Sequence, residues 1–153
     1  MTALQLKIPP PVYLLVFAAL MYIADSQLPL VALITAPYHW LAILPALMAV
    51  MLDGWALWAF RRARTTVNPL HPERATALVT SGPYRFTRNP MYVGILLLLS
   101  AWAVYLGSAS PWFFLPLAFV TLTIQQIMPE EKILAQTFAD GYRAYQDRVP
   151  RWL

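Results

Sequence analysis

Between residues 78 and 94 the chain reads LVTSGPYRFTRNPMYVG, which gathers Thr80, Ser81, Tyr84, Arg85, Thr87, Arg88, Asn89 and Tyr92 between two long apolar runs. Glu130 and Glu131 follow the last of the apolar runs, and Asp53 and Gln126 lie inside two of them. A carboxylate near a membrane face can accept hydrogen bonds from ribose hydroxyls or balance a cationic ligand. The rings of Tyr84 and Tyr92 can stack on an adenine and attract a sulfonium through their π faces. Arg85 or Arg88 can pair with a ligand carboxylate. Each of these residues also has an ordinary use. Arginines snorkel to the interface, tyrosines form an interfacial belt, and acidic residues suit the first turn of a helix. Asp53 is the exception, because a carboxylate two turns inside a membrane helix is costly without a partner or a task. Gln125 and Gln126 raise that question more weakly, since amides also join helices.

These side chains need walls around them. Gly82-Pro83 and Asn89-Pro90 are turn dipeptides, so the central stretch bends twice. Each bend frees backbone polar groups that protein, water or a ligand must satisfy next to a bilayer. A polar, doubly bent segment in that place reads as the wall of a binding cavity.

The composition sets the class. Of 153 residues 59% are hydrophobic and 12% charged, with a mean hydropathy of +0.55. A soluble domain carries about twice that charge. The apolar runs are too long and unbroken for barrel strands. The expected fold is all-α, a polytopic membrane protein of about four transmembrane helices with a C-terminal cytoplasmic amphipathic helix, in one domain over residues 1–153. With no cysteine, thiolate chemistry and cysteine-bound metals are excluded. His39 and His71 lack metal-ligand spacing, so no metal is expected. The net charge of +4 flanks membrane segments, which points to membrane lipid and not to nucleic acid. The five glycines form neither a dinucleotide loop nor a P-loop, and no Ser/His/Asp set can be assembled.

Four helices are expected in order. The first covers Val12 to Ala24 and ends near Gln27, or continues to Ile34. It is not expected to be cleaved as a signal, because a cut after Ala24 would put Tyr22 where cleavage wants a small residue. The second, Tyr38 to Phe60, has 23 residues, enough to cross, with a kink expected at Pro45. The third runs from Pro90 to Leu106 and is closed by Gly107 to Pro111. The fourth runs from Trp112 to about Met128, where Pro129 ends it and opens another helix. In that last helix Leu134, Phe138, Tyr142, Tyr145 and Val149 recur on one face, so it lies along the headgroups or caps the bundle. All 11 basic residues fall on one side of this arrangement: Lys7, then Arg61 to Arg88, then Lys132 to Arg151. Both termini and the central stretch are therefore expected in the cytoplasm, with the protein multi-pass in a membrane, the inner one if bacterial.

With LVTSGPYRFTRNPMYVG and PEEKILAQTFADGYRAYQDRVP both in view, the sequence resembles the isoprenylcysteine carboxyl methyltransferase family, itself related to the phospholipid N-methyltransferases. The family pattern reads approximately LVTSGxY, RHPxYxG, a Glu pair, then FGxxYxxYxxxVP, and the likeness covers about residues 68–150. It implies a cytoplasm-facing pocket for S-adenosyl-L-methionine, closed by the C-terminal segment, with a small or lipid-soluble acceptor entering from the membrane. That acceptor would be a carboxylate, thiol or amine. By position Leu78, Val79, Tyr84, Asn89, Pro90, Met91, Tyr92 and Glu130 match cofactor contacts, and Arg88 and Glu130 are the expected catalytic pair. Gln126 stands where the prenylcysteine enzymes place a substrate-contacting arginine, and with Asp53 it is the expected substrate contact. Two positions depart from the pattern. Asn89 replaces a His, and Ala139 replaces a Gly, with an effect expected only on local packing. Two rival readings are an isoprenoid or sterol reductase holding NADPH, whose members have many more helices, and a non-catalytic membrane subunit.

Overall fold

The computed structural model describes residues 8–65 and 76–153. Lys7, His71 and Arg74, used above for charge placement or metal binding, lie outside them, as does the start of the family-like region. Among the described residues the chain is helical, and the strand-like pairing consists of an isolated bridge between Ala32 and Ser108.

Helix α1, Pro10–Gln27, begins on prolines that fit its first turn. Tyr13, Phe17 and Met21 recur every four residues and are buried in a core with Leu99, Ala103 and Leu122. The helix stops at Gln27 and does not extend to Ile34, because Pro29 disfavours a helical Leu28. A 3-10 turn, Tyr38–Ala42, leads into α2, Ile43–Ala63. Pro45 falls in the first turn of α2, where its missing N–H breaks no helical hydrogen bond, so the kink expected there is not its role. Ala49, Ala56 and Ala59 are essentially without solvent exposure and form the small-residue face that holds Asp53.

Helix α3, Pro90–Leu106, has the predicted limits, with Pro90 in its first turn and Gly107 at φ 90° closing its end. The connector after α1 is stitched to that end, since Leu33 N and Ile34 N donate to Gly107 O at 2.8 and 2.9 Å. Ser110 donates its hydroxyl to Leu28 O in the same place.

Beyond a short 3-10 turn, α4 (Phe114–Leu122) and α5 (Met128–Gln146) are joined by a π-helical turn, Thr123–Ile127. The expected break at Pro129 is absent, and a continuous helical path runs from Ser110 to Gln146. The wider turn just before Pro129 accommodates a ring that would collide with the preceding carbonyls of a regular α-helix. The break comes later, at Ala139, whose backbone has φ 41° and ψ −116°. Ala139 therefore affects more than packing, because it holds an L-residue in a conformation suited to glycine.

Among the described residues two helices are long and apolar enough to cross a membrane, Tyr38–Ala63 and Ser110–Gln146, and α3 is a shorter apolar helix. Large apolar side chains also face outward, among them Leu15, Val50, Met51 and Phe113 at 65–68% exposure. A surface of this kind is stable against lipid and costly against water.

Candidate functional site

The bent segment between α2 and α3 is held by the end of the chain. Gly82 (φ 64°) opens a 3-10 turn, Gly82–Arg85, that buries Tyr84. The Tyr84 ring meets Phe60 edge-on at 5.4 Å, and its carbonyl accepts a 2.7 Å bond from the Tyr145 hydroxyl. Burial pushes the Tyr84 phenol well above the usual tyrosine range, so it stays protonated. Further on, Arg88 N donates to Pro150 O at 3.0 Å, and Thr87 Oγ1 and Asn89 Nδ2 donate to Arg151 O at 3.1 and 2.9 Å. Backbone groups exposed by the bend are thus met by protein, as a non-helical segment against a bilayer requires.

Over this segment lies a cavity of about 370 Å³, within the usual range for small-molecule sites. Asp53, Leu78, Val79, Tyr84, Arg88, Asn89, Pro90, Met91, Tyr92 and Glu130 all line it. Gln126 does not. It is fully buried, and its Nε2 donates to Ile8 O at 3.0 Å and reaches the Tyr13 hydroxyl at 3.4 Å. The π turn contains Gln126 and alters the helical count to Glu130, so the two need not share a face. Asn89 borders the cavity, but its amide is committed to the chain end. Arg85 is exposed and does not line it.

The neighbouring carboxylates are used differently. Glu131 is buried between two guanidinium groups, Arg88 at 2.9 Å and Arg151 at 2.7 Å. Hydrogen bonds from Arg151 to Glu131 raise that arginine's pKa further, so its guanidinium stays charged. Glu130 accepts a 3.0 Å hydrogen bond from the Tyr92 hydroxyl, and among the described residues it has no cationic partner. The Arg88 charge is therefore spent on Glu131, although its Nε remains buried without an acceptor. Asp53 also lines the cavity, and its Oδ1 is buried with no hydrogen-bond partner.

Three parts of this site were not anticipated. Tyr142 and Tyr145 line the cavity and pack around Leu78 with Leu134 and Phe138. The aromatic pair three apart on the apolar face of α5 was the available signal. Pro10, Pro11 and Leu14 bring the start of α1 to the cavity, which the sequence did not indicate. Gly94 faces Asp53 so closely that a Cβ there would overlap the carboxylate. The glycine of the NPMYVG run was that signal.

What the site can hold follows from these charges. The Glu130 carboxylate, without a cation among tyrosine rings and apolar walls, suits a cationic ligand bearing an aromatic ring. Residues 37–141 match the phospholipid methyltransferase family, and the chain belongs to that family of membrane methyltransferases. Over 63 residues it is 38% identical to an uncharacterized protein of Haemophilus influenzae, covering 41% of this chain and 100% of that one. Over 73 residues it is 33% identical to the protein-S-isoprenylcysteine O-methyltransferase of Schizosaccharomyces pombe, covering 48% of this chain and 31% of that one. The chain thus matches about a third of the yeast protein's length. No solved structure matches it.

Proposed function

We propose that the protein is an S-adenosyl-L-methionine-dependent methyltransferase acting on a small or lipid-soluble acceptor that enters from the membrane. The supporting observation is the Glu130 carboxylate, hydrogen-bonded to Tyr92 in a tyrosine-lined cavity and left without a cation. S-adenosyl-L-methionine would supply a methyl group on a sulfonium, together with an adenine, ribose hydroxyls and an ammonium. Glu130 would accept hydrogen bonds from the ribose or balance positive charge, with Tyr92 fixing its carboxylate. Tyr84, Leu78 and Val79 form wall area for the adenine, and Tyr142 and Tyr145 help to exclude water. Arg88 acts through Glu131, holding α5 against the α3 entrance. Such a site works by positioning and by a dry environment, which suits a displacement that removes charge from sulfur. The same proposal places the basic end of the bundle in the cytoplasm, in a multi-pass arrangement.

Titration of the purified protein with S-adenosyl-L-methionine tests the reading. Micromolar to millimolar binding is expected. Glu130→Gln should weaken it about tenfold or more, the loss of one charged hydrogen bond of roughly 1.5–3 kcal/mol. Absence of binding to the wild type would leave a non-catalytic membrane subunit.

A further inference from the structure

Asp53 has no structural duty that the fold reveals. A carboxylate oxygen buried to join two helices would be hydrogen-bonded, yet the buried Oδ1 of this half-buried residue has no partner. Instead α3 offers it a gap, since Gly94 carries no Cβ and a larger residue would overlap it. The carboxylate fills that gap, and Asp53 also borders the cavity. One turn beyond Gly94, Leu98 lines both this cavity and an apolar groove along α2 and α3, bordered by Ile43, Ala46 and Tyr105. Asp53 therefore stands near the place where an apolar path meets a polar chamber. The arginine of that chamber is already neutralised by Glu131.

We infer that Asp53 receives the acceptor's proton, and that the acceptor is accordingly an alkyl-bearing nucleophile carrying N–H or S–H, not a carboxylate. This rests on the methyltransferase reading above. The nucleophile's lone pair forms the bond to the methyl carbon as the carbon–sulfur bond breaks and its electron pair stays on sulfur. The proton leaves nitrogen or sulfur for the Asp53 carboxylate and passes to water when the products depart. A carboxylate acceptor has no proton to give, and it would meet the Glu130 and Asp53 carboxylates while Arg88, the arginine that lines the cavity, is held by Glu131. The acceptor's alkyl chain occupies the groove that begins at Leu98.

The experiment uses the full chain in lipid nanodiscs, as wild type, Asp53→Asn and Asp53→Ala, with decylamine, decanethiol and decanoic acid as probes. Wild type should methylate the amine or the thiol and leave the acid unmodified. Both variants should bind S-adenosyl-L-methionine within about threefold of wild type while methyl transfer falls at least ~100-fold. Asp53→Asn should also lose the acid limb of the pH–rate profile. With demethylated cofactor bound, the reactive probe should raise the melting temperature of the wild type more than that of either variant. The melting temperature of Asp53→Asn itself should equal or exceed wild type, because an unpartnered carboxylate has been removed. Turnover retained within about threefold by the variants, methylation of decanoic acid, or no methylation of any probe would overturn the proposal. So would failure of both variants to fold, which would make Asp53 part of the architecture. Loss of cofactor binding by the wild type is a separate outcome that removes the methyltransferase reading itself.

Discussion

Glu130 and Glu131 differ by one residue and by about 100° around a helix, and that rotation decides what each can do. Glu131 meets Arg88 and Arg151, while Glu130 meets the Tyr92 hydroxyl and the cavity. Removing Glu131 leaves Arg88 nearly buried, with a guanidinium whose Nε already lacks an acceptor. Glu131→Ala is therefore expected to cost about 3 kcal/mol of stability, the usual scale for breaking a buried pair from one side. Thermal or denaturant unfolding in detergent measures it. A loss under about 0.5 kcal/mol, the size of a surface substitution, would mean that Arg88 finds another anion. The sequence made the lining from Leu78 to Tyr92 legible because turn dipeptides and polar side chains are rare between apolar runs. Gln126 was not legible in the same way. Counting one turn back from Glu130 presumes a regular helix, and the residues between them include a π turn.

Among the elements, α3 was the most readable, since Pro90 and Gly107 are the residues that chain geometry demands at a helix start and end. The junction of α4 and α5 was the least readable. Proline normally marks a boundary, and the π turn that carries the helix past Pro129 has no strong sequence signal. The true interruption, at Ala139, holds a non-glycine residue at φ 41°. Strain of that kind costs on the order of 1–3 kcal/mol, partly offset because glycine frees the unfolded chain. Ala139→Gly should thus stabilise the protein by about 1 kcal/mol, read as a higher denaturation midpoint. A lower midpoint would show that the backbone at 139 is unstrained. The burial of Tyr142 and Tyr145 also belongs to this scale. Periodicity identified their face of α5 and left open whether it met headgroups or the bundle, and packing against Leu78 decides for the bundle.

At the scale of the whole molecule, contacts sort the chain into two ends. At one, residues Pro150 and Arg151 bind the segment before α3. At the other, the connector after α1 is fastened to Gly107, Ala109 and Ser110. The described basic residues Arg61, Arg62, Arg64, Arg85 and Arg88 border the first end, together with those that follow α4. Reporters fused after Leu153 and within residues 64–74 are expected to read cytoplasmic, and one inserted between Gly107 and Pro111 external. Opposite readings for the first two would break the single-sided arrangement and the proposed site with it. Charge placement alone carries this orientation. The all-helical character was legible for a simpler reason, because long unbroken apolar runs leave the backbone no other way to satisfy itself.

The fit of Gly94 around Asp53 also constrains how such a chain can drift over generations. A methyl group at position 94 would overlap the carboxylate as long as position 53 is an aspartate. A lineage can enlarge residue 94 only after residue 53 has shortened, so the two changes have a permitted order and a forbidden one. If the carboxylate is what selection retains, both positions are fixed together, and the smallest residue of α3 inherits the constraint of a side chain it does not possess.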